Sequence, residues 1–357
     1  MVKYLGSKRL LTPAIVETVL STEGARSALD LFSGTARVGH ALKRAGLRVI
    51  ANDHNAFAST LARCYVQADA EEVLEDARRL IAELNALPGR PGFFTETYCV
   101  RSRYIHPSNG ERIDAIREAI AAKSLEPELE AVLLASLLEA ADRVDSTVGL
   151  QMAYLKRWAP RALEPLEMRV PEVLPRAPAG KGEAHCLDAQ DAAGRFEADV
   201  VYLDPPYNQH SYRGNYHVWE TLVRWDRPEV YGVACKRADC RTHRSAFNAR
   251  REHAAALEAV LASLRCRAVV LSLSDEGWLS DGDALAMLAR LWGGAARVEV
   301  REFDYPRHIG SAIGIHGPDG RPVGRPGPRR CRERLFVARH AGTPERGPSR
   351  ALAGAAR

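Results

Sequence analysis

The sequence predicts an α/β fold with a mostly parallel sheet, an antiparallel edge strand and a helical insertion. One observation is a strand–helix–strand unit over residues 27–51, whose right-handed crossover makes its two strands parallel. Another is a later group of apolar strands, the first of which spans residues 200–203. The third is the long helical stretch between these two groups. With 357 residues, the chain can form one large domain or a domain with an insertion.

The first half of the sheet is predicted from the residues that precede the insertion. Its elements are a strand over residues 27–31, a helix over residues 36–45 and a strand over residues 47–51. The helix is expected to end at Gly46, because glycine readily adopts the left-handed conformation found just after helices. A third strand-like stretch lies much later in the chain, before Asp188.

About 135 residues separate Asp53 from Asp188, far more than a single crossover needs. Helical periodicity dominates this stretch, and the helices are predicted over residues 70–87, 109–123 and 127–144. We therefore predict a helical insertion over residues 90–179 in a domain formed by residues 1–89 and 180–340. The alternative is that these helices only cover the sheet. The tail at residues 341–357, rich in Gly, Pro, Ala and Arg, is predicted to be disordered.

The second half of the sheet is predicted from the strand at residues 200–203 and the elements after it. A long amphipathic helix is expected to begin near Asn248 and to lead into a strand over residues 268–273. Strands over residues 297–303 and 334–338 are expected to complete the sheet as an antiparallel pair.

Composition and charge bound the class of protein. Hydrophobic residues make up 46% and charged residues 27%, as in ordinary globular proteins. The net charge is +5, mostly from arginine, which favours bidentate contacts to phosphate and guanine but does not by itself establish a nucleic-acid partner. No apolar run reaches the ~20 residues of a membrane helix. Because the seven cysteines are scattered, free thiols are expected, and with them a cytoplasmic protein without a membrane partner.

The residues that follow the first two strands indicate a nucleoside site. Asp30 ends the first strand, Phe32 and Gly34 lie in the next turn, and Asp53 ends the second strand. Gly34 allows a ligand to approach the backbone closely, and the Asp53 carboxylate can accept from both hydroxyls of a ribose. The turn lacks a full G-x-G-x-x-G pattern, which disfavours a dinucleotide and favours S-adenosylmethionine, a cofactor without phosphates. Asp188 is placed to meet the adenine of that cofactor, with a solvated loop carboxylate as the alternative.

The motif Asp204-Pro205-Pro206-Tyr207, named here the DPPY turn, carries the strongest chemical indication. The preceding strand delivers Asp204 to the carboxyl edge of the sheet, where open α/β folds bind ligands. The prolines fix φ and donate no backbone N–H, so the turn presents a carboxylate and a carbonyl as rigid acceptors. Both can accept from one amino group, and Tyr207 offers a face on which a base can stack. This combination suits methyl transfer to an exocyclic amino nitrogen of a nucleobase; the alternative is a stiff turn without chemistry.

Cys235, Cys240, His243 and His253 have a spacing close to that of a zinc site. No paired C-x-x-C occurs among them, and basic residues surround them over residues 236–244. We therefore predict a basic loop with no bound metal.

Several short motifs, taken in order, resemble those of the alpha-group (Dam-like) DNA adenine-N6 methyltransferases. The matching segments are residues 4–8 (YLGSK), 30–34 (DLFSG), 52–53, 103–104, 109–114, 142–144, 153–156, the DPPY turn, 215–220 (NYHVWE) and 309–324. The match spans nearly the whole chain. It implies a Rossmann-like methyltransferase sheet and a target-recognition insertion between its two halves.

The resemblance also implies S-adenosylmethionine as the cofactor. By their place in the motifs, Tyr4, Lys8, Asp53 and Asp204 would contact it, and Phe32 would pack on it. Tyr4 stands where the best-known members have tryptophan. The FSGTA turn lacks a second glycine, so the methionine end is expected to be held differently.

The mechanism that the resemblance implies is direct transfer to a flipped base. A target adenine leaves the stack of duplex DNA, because its amino group is unreachable inside it. Tyr207 would stack on the base, while the Asp204 carboxylate and the Pro205 carbonyl accept the two amino hydrogens. Positioning and electrostatics would supply most of the catalysis.

The insertion is expected to read the DNA sequence. Its basic candidates for phosphate or base contacts are Arg103, Arg112, Arg143, Lys156 and Arg157, each with a solvated helix-face charge as the alternative. The expected partner is double-stranded DNA, methylated by a monomer in a bacterial cytoplasm at the nucleoid. The resemblance leaves open whether a cognate restriction endonuclease accompanies the chain or whether it is an orphan methylase.

Two other functions stay open from the residues alone. One is an amino methyltransferase that acts on cytosine in DNA or on RNA. The other is a DNA-binding protein that kept the fold but not the chemistry, and binding of S-adenosylmethionine would separate it from an enzyme.

Overall fold

The structure, a computed structural model, describes residues 1–209, 211–306 and 330–343. The segment at residues 309–324 and the predicted tail beyond residue 343 lie outside the described residues. Within the described ranges, no helix is both long and apolar enough to cross a membrane.

The described strands form two sheets. In chain order they are β1 (Ser27–Asp30), β2 (Arg48–Asn52), β3 (Glu183–His185), β4 (Val200–Leu203), β5 (Val230–Tyr231), β6 (Lys236–Arg237), β7 (Ala268–Ser274), β8 (Ala296–Pro306) and β9 (Arg330–His340). Seven of them form the central sheet, in the order β3-β2-β1-β4-β7-β9-β8, and β5 and β6 form a separate antiparallel pair. The first five strands of that order run parallel, whereas β9 is antiparallel to both β7 and β8. The predicted sheet is therefore confirmed.

Helices cover both faces of the sheet. In chain order they are α1 (Thr12–Leu20), α2 (Arg37–Arg44), α3 (Ala56–Ala62), α4 (Ala70–Ala86), α5 (Pro107–Ala122), α6 (Pro127–Arg143), α7 (Ala189–Arg195), α8 (Tyr212–Asn215), α9 (His217–Arg224), α10 (His253–Ser263), α11 (Asp281–Ala289) and α12 (Leu291–Gly294). Short π-helical segments at Arg63–Gln67 and Thr95–Val100, and 3₁₀ turns at Pro160–Leu163, Ala238–Cys240 and Ala246–Asn248, lie between them. The three long helices predicted before Asp188 are all present, with ends within two residues of those expected.

Two clusters of buried apolar side chains lie on opposite faces of the sheet, because successive residues of a strand point to opposite sides. In β1, Ala28 belongs to one cluster and Leu29 to the other. The first cluster receives side chains from α1 to α6 and α9, and the second from α7, α10 and α11. Since α5 and α6 share the first cluster with helices that cover the sheet, the segment assigned to the insertion packs into the same core. Its boundaries at residues 90 and 179 stay a prediction.

The parallel register brings three strand ends to one edge. Asp30 at the end of β1 lies opposite Ala51 in β2 and Tyr202 in β4. Chain order reverses on either side of β1, since β2 and β4 flank it, and ligands of open α/β sheets bind at such a switch point. The residues that follow β1, β2 and β4 therefore converge on one site.

The predicted helix start near Asn248 is wrong, because α10 begins at His253. The Ser245 hydroxyl accepts from the Phe247 N–H and caps a 3₁₀ turn instead. The side chain of Asn248 donates from Nδ2 to the Asn208 carbonyl, 2.8 Å away. These bonds tie residues 245–248 to the loop after the DPPY turn and separate them from the helix.

Candidate active site

A cleft of about 580 Å³ opens at the carboxyl edge of the sheet. Its lining combines the ends of three neighbouring strands with the N-terminal segment and two later loops. The lining residues are Tyr4, Gly6, Leu31, Phe32, Asn52, Asp53, His54, Asn55, Asp188, Ala189, Asp204, Pro206, Tyr212, Ser245 and Phe247. Among them are Tyr4, Phe32, Asp53, Asp188 and Asp204, five of the residues predicted to hold the cofactor.

The buried side chain of Asn52 ties together the loops that form the cleft. Its Nδ2 donates to the carbonyls of Leu31 and Leu187, at 3.3 and 3.1 Å, and its Oδ1 accepts from the Leu187 N–H at 3.1 Å. The loops after β1, β2 and β3 are thereby fixed to one another. The sequence pattern drew attention to Asn52 as a motif residue, but it gave no sign of this positioning role.

Asp53 lies in the cleft with both carboxylate oxygens oriented by the protein. Oδ2 accepts from the Gly34 N–H at 3.0 Å, and Oδ1 accepts from the backbone N–H and side chain of Asn55, at 2.9 and 3.0 Å. Gly34 has φ of +51°, and a Cβ there would lie 3.0 Å from the Tyr4 ring. A side chain there would need both an uncommon backbone conformation and a displacement of the Tyr4 ring, which favours glycine.

Glu220 stabilises the segment that follows Asp53. It is buried in α9, and its carboxylate accepts from the N–H groups of Ala56 and Phe57, at 3.3 and 3.1 Å, at the start of α3. A carboxylate at a helix N-terminus satisfies backbone donors that otherwise have no partner. The motif match included Glu220, but its contact with α3 is long-range and has no local sequence signal.

Tyrosine side chains hold the N-terminal segment in the cleft wall. The Tyr4 ring stacks on Tyr212 and Tyr216, with ring centroids 5.0 and 4.9 Å apart. The Tyr216 hydroxyl accepts from the Leu5 N–H at 2.6 Å. The Tyr305 hydroxyl donates to the Ser7 carbonyl at 2.6 Å. Tyr4 is thus already stacked within the protein, which leaves only part of its surface for a ligand.

Lys8, Asp204 and Glu333 form a charge cluster beside the DPPY turn. The Lys8 ammonium lies 3.1 Å from Asp204 Oδ1 and 3.1 Å from Glu333 Oε2. Lys8 and Glu333 are buried, whereas the Asp204 side chain is 20% exposed. Glu333 comes from β9, far along the chain, and was not predicted as a site residue.

This cluster sets the protonation of the proposed catalytic carboxylate. Burial raises the pKa of Asp204 to about 6; Lys8 opposes this shift, and Glu333 adds to it. Burial lowers the pKa of Lys8, but the nearby carboxylates Asp204 and Glu333 outweigh burial and raise it well above its usual value. At neutral pH the lysine is therefore charged and Asp204 is mostly ionised.

The DPPY turn is fixed from one side by α10. The buried His253 ring, through Nε2, lies 3.0 Å from the Pro206 carbonyl, and the contact requires the tautomer that carries the proton on Nε2. The Pro205 carbonyl has no hydrogen-bond donor among the described residues. Tyr207 is partly exposed, and burial raises its pKa to about 12, which keeps the phenol protonated.

Asp30, Phe32 and Asp188 have three different environments. Asp30 is buried behind the cleft, where Oδ2 accepts from the Gly39 N–H at 3.0 Å, and burial raises its pKa to about 7. Phe32 lines the cleft and packs edge-on against Phe247, with centroids 5.0 Å apart. Asp188 is exposed at the rim and caps α7 through the Gln190 N–H. Asp30 thus makes a structural contact and is not among the residues that line the cleft. Its predicted contact with the cofactor stays a prediction.

Two of the predicted DNA-contact residues have their guanidinium groups on backbone carbonyls. Arg112 donates to the carbonyls of Asn85 and Leu87 at the end of α4, and burial lowers its pKa. Arg143 donates to the Glu167 carbonyl at 2.7 Å. These contacts stabilise the fold. The sequence predicts only a DNA contact or a solvated helix-face charge for such residues, and this structural role is neither.

Of the other three candidates, Lys156 and Arg157 lie on one loop, and Arg103 contacts that loop from another. Arg103 donates to the Lys156 carbonyl at 2.8 Å, and its guanidinium lies over the Trp158 ring, 4.5 Å from the centroid. Lys156 and Arg157 are exposed. Residues 146–158, named here the recognition loop, also expose the apolar side chains of Val148 and Met152.

Gln151 anchors the recognition loop next to the active site. Its N–H donates to the Asn215 carbonyl at 2.8 Å, and its side-chain Oε1 accepts from the Val218 N–H at 2.8 Å, at the start of α9. At the other end of the loop, Asp145 forms an ion pair of 2.8 Å with Lys3, the residue before Tyr4. The loop is therefore held close to the elements that carry Tyr4 and Tyr212.

The cysteine and histidine residues considered as a zinc site have other contacts. Cys235 is buried, and the Cys240 thiol donates to the Arg213 carbonyl at 3.8 Å. Across the described ranges, no three His, Cys, Asp or Glu side chains are grouped so that they could hold a metal ion.

Comparison with known proteins identifies the family. The model of the D12 class N6 adenine-specific DNA methyltransferases matches residues 4–275, which include the N-terminal segment, the cleft and the DPPY turn. The Type II methyltransferase M.NlaIII of Neisseria lactamica is 30% identical over 300 residues, which cover 80% of this chain and 87% of that protein. The Type II methyltransferase M.CviAII of Paramecium bursaria Chlorella virus 1 is 28% identical, over 87% of this chain and 94% of that protein.

Some relatives are much longer than this chain. The Type II methyltransferase M.FokI of Planomicrobium okeanokoites is 30% identical over 305 residues, which cover 80% of this chain but 46% of that protein. The chain thus corresponds to about half of that relative.

Proposed function

Since this chain belongs to the D12 class N6 adenine-specific DNA methyltransferases, we propose that its cleft binds S-adenosylmethionine and that its DPPY turn holds a flipped adenine. The chain is an adenine-specific DNA methyltransferase, and this membership disfavours cytosine, RNA and a non-catalytic role. The observation that carries the proposal is the junction of two features. Asp53 follows β2 and Asp204 follows β4, the two strands that flank β1, and both side chains line the cleft, so a methyl donor and an amino acceptor can meet there.

The residues of the cleft fit S-adenosylmethionine. Phe32 and Phe247 offer apolar surface for an adenine ring, and the oriented Asp53 carboxylate suits a ribose diol. Asp188 at the rim is the candidate partner for the adenine amino group. When bound, this cofactor supplies a methyl group already activated on a positively charged sulfur.

The DPPY turn fits the amino group of an adenine. The Pro206 carbonyl already accepts from His253 and no described donor meets that of Pro205, so we assign the Pro205 carbonyl as the second acceptor beside Asp204. Two acceptors on one NH₂ group hold it in place and orient its lone pair. Tyr207, partly exposed next to them, would stack on the base.

Asp204 has a second task, which follows from the balance of the reaction. As the amino nitrogen forms its new bond to carbon, it must lose one proton. Above its pKa of about 6, the ionised Asp204 can accept that proton, and Lys8 beside it stabilises the carboxylate. Neither a metal nor a covalent enzyme intermediate is needed.

The recognition loop is the proposed sequence reader. Its exposed Lys156 and Arg157 can reach phosphates or base edges, and its exposed Val148 and Met152 can pack against bases. Anchoring by Gln151 keeps these side chains near the cleft. Arg112 and Arg143 are assigned to the fold instead.

One chain carries both the cleft and the turn, so we propose that a monomer performs the reaction on double-stranded DNA. A cognate restriction endonuclease stays a prediction. Sedimentation of the purified protein with a duplex that carries one target site would distinguish one bound copy from two.

The experiment that tests the proposed function identifies the methylated atom. Purified protein is incubated with S-adenosylmethionine labelled in its methyl group and with duplex DNA, and the digested nucleosides are separated. The expected product is N6-methyladenosine in its deoxy form. Label in cytosine, label only in added RNA, or no binding of the cofactor at all would contradict the proposal.

A further inference from the structure

A group of three exposed arginines lies on a segment that contacts the DPPY turn, and no described residue forms an ion pair with it. It consists of Arg244, Arg250 and Arg251, named here the arginine rim. Within the described ranges, none of the three guanidinium groups forms an ion pair or a side-chain hydrogen bond. By contrast, Arg237 in the preceding strand is buried and pairs with Asp226 and Asp239, at 2.7 and 3.0 Å.

The segment that carries the arginine rim is attached to the catalytic turn by residues between and just after the three arginines. Ser245 and Phe247, one and three residues after Arg244, line the cleft. Asn248 donates to the Asn208 carbonyl at 2.8 Å, just after the DPPY turn. His253, two residues after Arg251, contacts the Pro206 carbonyl at 3.0 Å. The backbone segment that carries the rim is therefore attached to the turn and to the loop after it.

Three exposed positive charges without an ion-pair partner among the described residues, on a segment that lines the cleft and contacts the DPPY turn, favour an anionic partner. Guanidinium groups bind phosphates with two parallel hydrogen bonds, and a DNA strand presents one phosphate per nucleotide. A base that flips rotates about its own backbone, so the phosphates on either side of it stay close to the turn that receives the base. Arg237 cannot serve this purpose, because Asp226 and Asp239 already neutralise its charge.

We propose that the arginine rim binds the backbone phosphates on either side of the flipped adenine, on the strand that is methylated. This inference rests on the proposed function, because it takes the DPPY turn as the place where the adenine is held. It assigns DNA contacts to a segment outside the predicted helical insertion. The rim positions the strand and carries no sequence information.

The test compares the triple variant Arg244→Gln/Arg250→Gln/Arg251→Gln with wild type. Binding of a fluorescent duplex with the target site, and the KM for that duplex, are measured over a series of salt concentrations. The variant is expected to raise the Kd and KM on the order of tenfold and to reduce the slope of log K against log salt by about three. Affinity for S-adenosylmethionine and the preferred DNA site should stay unchanged.

Arg78→Gln is the matched control. Arg78 is also exposed and without an ion pair among the described residues, but it lies on α4, against the other face of the sheet. It should leave the Kd, the KM and the salt slope as in wild type. A second triple variant with Lys at the three rim positions keeps the charges and should recover most of the DNA affinity.

Three results would overturn the inference. One is a wild-type salt slope and Kd in the Gln variant. Another is a relaxed sequence preference, which would mean that the rim reads bases. The last is a Lys variant that binds the duplex as weakly as the Gln variant, because the loss of affinity would then come from the shape of the side chains and not from their charge. Failure of the proposed function is distinct, since wild type would then form no N6-methyladenine, while the binding comparison would still test the rim.

Discussion

At the scale of single residues, the balance of charge around Asp204 decides whether the site can work. Lys8 lies within 3.1 Å of both Asp204 and Glu333, so two carboxylates share one cation. Motif position predicted Asp204 and Lys8 as site residues. Glu333 could not be predicted, because only the pairing of β9 with β7 brings it next to Lys8.

Removal of the Glu333 charge should shift the pH dependence of methylation. Glu333 raises the pKa of Asp204, so Glu333→Gln should lower it. The ionised form of Asp204 would then persist to lower pH, and the acidic limb of the kcat/KM profile should move to lower pH. The control is Glu302→Gln, an exposed position on β8. An unchanged limb, or one displaced to higher pH, would show that Glu333 does not act through Asp204.

Asp53 is expected to carry the ribose contact. Asp53→Asn keeps an acceptor for the Gly34 N–H but removes the charge, and it should weaken S-adenosylmethionine binding by roughly 1.5–3 kcal/mol. Calorimetry measures this directly, with Asp191→Asn on α7 as an exposed control. If the affinity is unchanged, the contact belongs to another acid, and Asp188 is the first candidate.

At the scale of elements, the strand ends and their loops build the site. The strands β1, β2 and β4 were predictable to within a residue or two, because they are short apolar runs that end at polar turns. The segment at residues 245–252 was not, since the Asn248 side chain bonds to the loop after the DPPY turn and α10 begins only at His253. Periodicity reports local burial and carries no information about such long-range bonds.

His253 at the start of α10 should position the DPPY turn. His253→Phe removes the hydrogen bond to the Pro206 carbonyl, and kcat should fall on the order of tenfold or more, because small displacements at a reacting centre are costly. The Kd for S-adenosylmethionine should hardly change. His253→Gln can restore the donor and should recover part of kcat. Equal losses in both variants, or a loss of cofactor binding with an unchanged kcat, would argue against a positioning role.

At the scale of the whole molecule, the basic residues divide into those that support the fold and those that face solvent. Composition could show only a modest excess of positive charge, mostly from arginine. The structure separates Arg112 and Arg143, whose guanidinium groups bind carbonyls, from the exposed Lys156 and Arg157. Helices α5 and α6 share their core with the sheet, so sequence length alone could not tell an insertion from a cover.

This division predicts two kinds of variant. Arg112→Leu should lower the free energy of unfolding on the order of 1–3 kcal/mol, because the carbonyls at the end of α4 lose a charged donor. It should leave the salt dependence of DNA binding unchanged. Lys156→Gln and Arg157→Gln should leave the free energy of unfolding unchanged and reduce the salt dependence of DNA binding. At least one of them should relax the preferred site at a defined position. Thermal unfolding and sequencing of methylated adenines measure the two effects, and a reversed pattern would refute the assignment.

The most direct test of the central claim is methyl transfer by Asp204→Asn. This variant keeps the size of the side chain, and Lys8 keeps Glu333 as a partner, so the fold and S-adenosylmethionine binding should persist. The predicted result is formation of N6-methyladenine in duplex DNA by wild type and a loss on the order of 100-fold or more in the variant, since a charge-assisted acceptor is removed at the reacting group. A rate within tenfold of wild type would contradict the account of the DPPY turn as the catalytic site.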